Sequence, residues 1–143
     1  MLDTPRNQAI IRSAAGLAEA AMEGTVLEAR AVLCDAEHNL HVEIHCMECV
    51  IPYFEGAIGI AEGTTRDIAL ISRVSKPVCF TVNGFEHLPD GRRRAVLSRR
   101  DAQERCRDLY ISRLRRGDVI PARVTRLETF GAFCDIGCGI AAL

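Results

Sequence analysis

"GDVIPARVTRLETFGAFCDIGCGIAAL", Gly117 to Leu143, is the stretch whose reading decides the fold, because an earlier segment repeats it. "GTVLEARAV" from Gly24 matches "GDVIPARVT" from Gly117 at Gly, Val, Ala and Arg, an offset of 93 residues. At an offset of 92, "HNLHVEIHCMECVI" from His38 aligns with "FGAFCDIGCGIAAL" from Phe130, so Ile44 meets Ile136 and Cys46 meets Cys138. A turn longer by one residue in one copy produces that shift. Side chains alternate between the faces of a strand, so Leu40, Val42 and Ile44 are predicted to point inward, as are Ala132, Cys134 and Ile136. His41, Glu43, Phe133 and Asp135 then share the outer face. Gly131 permits a bulge, so strict parity is not carried back to Phe130.

Outward from this repeat the chain reads as short strands separated by turn residues. "TVLEARAVLC", "LHVEI", "VIPYF", "KPVCFTVNGF" and "RRAVLS" are predicted strands, with turns at "DAEHN" and "EHLPDG" and a long connection between the third and fourth. Five short strands suit a small closed barrel of the oligonucleotide/oligosaccharide-binding (OB) type. A helix precedes it: Thr4 is a cap, Pro5 suits the first turn, and Gly24 is a stop. A second helix is expected from Ser98 to Arg116, with Asp101 at capping-box spacing and Ala102, Cys106, Leu109 and Leu114 as its apolar stripe. The predicted organisation is therefore mainly β with helices. It comprises an N-terminal helix over residues 1–22, a five-stranded barrel over 23–98, an Arg-rich linker helix over 99–116, and a partial second barrel over 117–143. A barrel needs its later strands to close, so the chain is expected to be a piece of something longer.

The net charge of −1 conceals an asymmetry. Residues 1–90 carry 6 basic and 13 acidic side chains, whereas residues 91–126 carry 12 Arg against 4 acids. Seventeen of the 18 basic residues are Arg, the better donor for bidentate phosphate contacts and for stacking on bases. A local patch of this sign steers polyanions even when the total is neutral. No window is long and apolar enough for a transmembrane helix, and no signal peptide is read at the N-terminus. The seven cysteines are expected to be reduced thiols of a cytoplasmic protein.

"GDVIPARVTRLETFGAFCDIGCGIAAL" resembles the opening of an S-one RNA-binding domain, the OB-fold module repeated in bacterial small-subunit ribosomal protein S-one. The same module occurs in polynucleotide phosphorylase and ribonuclease E. The Gly-x-Val start, the Phe-Gly-Ala-Phe step and the Asp-Ile-Gly turn carry the resemblance. "AVLSRRDAQE", Ala95 to Glu104, resembles the end of such a domain, where the last strand runs into a linker helix. The resemblance extends over residues 23–143. It implies that Phe130 and Phe133 contact RNA, with single-stranded RNA and the small ribosomal subunit as partners and no catalysis. The first unit departs from the pattern, with His38 and His41 in the aromatic positions and Glu37, Glu43 and Glu48 nearby.

The expected RNA-binding residues are Phe130 and Phe133 as stacking platforms, with Arg92, Arg93, Arg94, Arg99, Arg100 and Arg123 as phosphate contacts. Two alternatives compete. The acidic first barrel is a candidate protein-docking adaptor. His38, His41, His45, Cys46 and Cys49 form a candidate zinc set, but a lone Cys-x-x-Cys without a matched second pair is a weak signal. No metal or other cofactor is expected. No Ser-His-Asp arrangement or phosphate-binding Gly loop with a following Lys is present.

Overall fold

The structure, a computed structural model, describes residues 4–143. Two helices open it, α1 (Pro5–Ile11) and α2 (Ala14–Glu23), where the sequence predicts one. Residues 1–3 of that expected helix lie outside the described residues. Thr4 caps α1 by accepting from the Asn7 N–H at 3.3 Å. The break comes at Ser13, which adopts an extended backbone and accepts from the Gly16 N–H at 3.0 Å, starting a second helix. Gly24 ends α2 in the left-handed conformation.

Five strands follow: β1 (Leu27–Cys34), β2 (Leu40–Val42), β3 (Glu48–Ile51), β4 (Pro77–His87) and β5 (Arg93–Ser98). They close into a barrel of order β1-β2-β3-β5-β4, consistent with an OB-like barrel. All pairings are antiparallel except β3 with β5. The predicted strand "VIPYF" is cut short because Pro52 caps a 3-10 turn over Tyr53–Glu55. The long connection after it holds one short helix, α3 (Ile68–Ile71). Leu27, Leu40, Ile51, Leu70, Phe80 and Leu97 fill the core with Leu17 of α2. Leu40, Val42 and Ile44 all point inward, as the alternation predicts.

Helix α4 (Arg99–Leu109) leaves β5 directly, with Ser98 accepting from the Asp101 N–H at 2.9 Å. It stops at Leu109, short of the expected Arg116, and gives way to a 3-10 turn over Ile111–Arg113. A separate three-stranded sheet ends the chain: β6 (Arg123–Glu128), β7 (Gly131–Asp135) and β8 (Ala141–Ala142).

The sequence repeat is also a repeat of strand register. Ala31 pairs with Val42 and Leu33 with His41, with a bulge between Ala31 and Leu33. The aligned residues behave alike: Val124 pairs with Cys134 and Arg126 with Phe133, with a bulge between Val124 and Arg126. Both ladders thus carry the same extra residue in the same place, which re-aims the strand that follows.

One tie in the fold was not foreseen from sequence. The buried Asn7 amide donates to the Glu28 carbonyl at 2.8 Å and accepts from the Glu28 N–H at 2.9 Å. It acts as a one-residue strand partner for the start of β1, where β2 does not reach. Asn7→Ala leaves both backbone groups buried without that partner and is expected to destabilise the fold by about 2–4 kcal/mol. Urea denaturation of the variant against the parent checks this.

Candidate nucleic-acid interface

The β6–β8 sheet is held against the barrel by one face of α4. Arg99, Ala102, Gln103 and Cys106 recur at helical spacing and face inward; the first three are buried. Gln103 Oε1 accepts from the Ile58 N–H at 3.0 Å, and Nε2 donates to the Cys138 carbonyl at 3.2 Å. One amide therefore bridges the barrel's long connection and the β7–β8 turn. Arg99 Nη1 donates to the Gly56 carbonyl at 3.0 Å. The turn fits closely over this face: a Cβ on Gly139 would lie 2.6 Å from Arg99 Nη2, and Gly139 has a φ of +77°. Asp135 Oδ1 fastens the turn by accepting from the Gly137 and Gly139 N–H groups at 2.9 and 3.1 Å.

Docking in this way opens a cleft of about 610 Å³ between barrel and sheet. Arg73, Lys76, Arg123 and Arg126 supply four cations, of which Arg126 is paired with Glu128, and Phe133 supplies an aromatic wall. Asp135 is the one carboxylate lining it among the described residues. Phe133 therefore turns toward a cleft walled partly by the barrel, whereas the sequence assigns its face to open water. Phe130 lies 6.3 Å from it, centroid to centroid, in an edge-to-face arrangement, and is 69% exposed. That geometry leaves the Phe130 ring accessible beside a basic groove.

The structure disperses the other expected arginines. Arg92, Arg93 and Arg94 sit at the end of β4–β5 remote from Lys76, which precedes the start of β4. Arg92 is paired with Asp90 at 2.6 Å, and Arg94 with Glu86 and Glu48. Arg93 lies over the Phe85 ring, 4.8 Å from its centroid. Arg100 pairs with Glu104 at 3.3 Å and Glu62 at 3.6 Å. Arg99, expected at the surface, is 5% exposed and serves as an internal tie. Of the expected cations, Arg123 alone lines the cleft; Arg73, Lys76 and Arg126 were missed, two of them because they lie in the acidic part of the sequence.

The first unit presents a different surface at the equivalent strand. His38 and Tyr53 have ring centroids 5.9 Å apart, and Tyr53 and Phe54 5.1 Å apart. Carboxylates accompany them: Tyr53 Oη donates to Asp67 at 2.6 Å, and His38 lies 3.6 Å from the same group. His41 bonds Asp35 at 3.1 Å, the leading cause of an Asp35 carboxyl lowered to about 2. The candidate zinc set is not assembled. Cys46 bonds the Ile11 carbonyl, Cys49 is buried with its thiol pushed up to about 12, and no group of three His, Cys, Asp or Glu among the described residues is placed to hold a metal.

A thiol cluster that the sequence did not announce forms instead at the α4 junction. Hydrogen bonding links Cys138 to Cys79 and Cys106. Burial leads in raising Cys106 to about 11, and the bond to Cys79 leads in raising Cys138. Both thiols are protonated at neutral pH and are poor nucleophiles.

No protein-family model matches the chain, and no curated protein matches it. Among the described residues no helix is long and apolar enough to cross a membrane.

Gln103→Ala is expected to leave the Ile58 N–H and the Cys138 carbonyl without that partner, at about 1–3 kcal/mol for each group so orphaned. Amide hydrogen exchange should accelerate at Ile58 and over residues 137–140 while the barrel strands keep their protection. Unchanged exchange at both places would contradict the bridging role.

Proposed function

We propose that the protein binds single-stranded RNA without catalysis, in the manner of the S-one type of OB module, and that the cleft between barrel and sheet is its binding surface. The observation that carries this reading is the conjunction of an edge-to-face phenylalanine pair with four cations along one groove. Backbone phosphates are held by Arg73, Lys76, Arg123 and Arg126, and bases stack on Phe130 and Phe133. Stacking tolerates any base, so sequence preference is slight. The small ribosomal subunit is the partner that the S-one resemblance implies, and a cytoplasmic location accords with reduced thiols.

The paired arginines contribute less. Arg92, Arg94 and Arg100, and within the cleft Arg126, which pairs with Glu128, already face carboxylates and must give up those partners before neutralising a phosphate. The strength of binding therefore rests on Arg73, Lys76 and Arg123 and not on the arginine count. A second reading is favoured by one observation: the ring cluster of His38, Tyr53 and Phe54 lies among Asp35, Asp67 and Glu37. Such a surface repels a polyanion and suits a protein partner, so this face of the first barrel, away from the cleft, is assigned a docking role.

Phe130→Ala with Phe133→Ala is expected to weaken binding of a single-stranded oligoribonucleotide by about 2–6 kcal/mol, with the salt dependence retained. Lys76→Gln with Arg123→Gln should instead flatten the slope of log K against log salt by about 1.4. Fluorescence anisotropy across a salt series measures both. Full affinity in the double phenylalanine variant would refute the stacking role, and full affinity in residues 1–116 alone would refute the cleft.

A further inference from the structure

A second pocket, of about 470 Å³, lies on the other side of Arg73, between the barrel's long connection, α4 and the β7–β8 turn. Arg73, Arg99 and Arg107 line it, and among the described residues no carboxylate does. Arg99 is 5% exposed and uses Nη1 on the Gly56 carbonyl. Arg73 has its Nε fully buried with no hydrogen-bond partner. Arg107 is the peripheral member, its Nε already on Asp108 Oδ1 at 2.8 Å. The carboxylate that acts on Arg99 is Asp135, which makes no ion pair with it and spends Oδ1 on the two glycine N–H groups of its own turn.

Two neighbouring guanidiniums in a partly desolvated space repel each other, and a buried charge without a counter-charge is costly. The effect is visible in Arg99, whose guanidinium is lowered to about 10 by burial and then by Arg73. The missing component is negative. Planar forked donors suit a tetrahedral oxyanion in particular, since each guanidinium offers two parallel N–H groups to a pair of oxygens.

We propose that this pocket binds a phosphate-class oxyanion between Arg73 and Arg99. The anion would neutralise the two guanidiniums, supply a partner in the neighbourhood of Arg73 Nε, and fasten the β7–β8 turn to the barrel. The pocket shares Arg73 with the RNA cleft but does not need the RNA reading, because Arg99 lines this pocket and not that cleft; free phosphate and the phosphodiester of a nucleic acid offer the same oxygens.

The test is titration of the intact chain with inorganic phosphate, with a nucleoside 5′-monophosphate, and with a dinucleoside monophosphate that has only an internal phosphodiester. Ionic strength is matched with sodium chloride, and both the thermal midpoint and the Arg99 Nε–H signal by NMR are followed. The expected result is a saturable rise of the midpoint and a shift of the Arg99 signal with at least one of the three. Arg73→Gln should weaken that binding by about tenfold or more. Its sign should also reverse: without phosphate the variant melts at or above the parent, because a repulsion has been removed, and with phosphate it melts below. The tightest-binding compound identifies the source, a free phosphate or a nucleic-acid backbone. If none of the three shifts the Arg99 signal, or Arg73→Gln binds as the parent does, the proposal is overturned.

Discussion

Two polar side chains buried on one face of α4 set the arrangement of this molecule. Arg99 and Gln103 each reach a backbone group of the barrel's long connection, and Gln103 also reaches the β7–β8 turn. An apolar helix face would fit many neighbours equally well. A buried amide is satisfied by few arrangements, because an orphaned donor or acceptor costs about 1–3 kcal/mol. The close fit of Gly139 over the Arg99 guanidinium adds a steric condition to the chemical one. The sheet is thereby held where Phe133 faces the barrel's Arg73–Lys76 segment across one cleft, and both clefts are consequences of that docking.

Charge in this chain is organised by pairing more than by sequence position. The Arg-rich block and the acidic first unit interlock, as when Arg94 takes Glu86 and Glu48 and Arg100 takes Glu62. Exposed pairs of this kind contribute little to stability, but they cancel one another's field. The two clefts between the units gather Arg73, Lys76, Arg99 and Arg123, with Asp135 as the one lining carboxylate among the described residues.

Much of the fold was legible in the residues. The alternation of Leu40, Val42 and Ile44 gave the inner face of β2, and the turn "DAEHN" gave its boundary. The repeat offset, with its one-residue slip, anticipated two ladders that share register and bulge. Other features were hidden for physical reasons. Arg99 and Gln103 occupy positions i and i+4 of the buried face of α4, but a stripe drawn from apolar residues passes over them and takes in Leu109, which is 59% exposed. The helix break at Ser13 was signalled only by a residue equally common within loops and caps. The cleft cations escaped notice because Arg73 and Lys76 are far in sequence from Arg123, and only the docking of the two units makes them neighbours. The phenylalanine pair was found, but the wall it faces was not.

The central claim is that barrel and sheet together form one surface for a single strand of RNA. Ultraviolet cross-linking of a bound oligoribonucleotide, with the modified residues located by mass spectrometry, tests this most directly. The account predicts adducts on both walls of the same cleft, at Phe130 or Phe133 on the sheet and within the Arg73–Lys76 segment on the barrel. Adducts confined to the His38, Tyr53 and Phe54 surface, with none on the sheet, would contradict it.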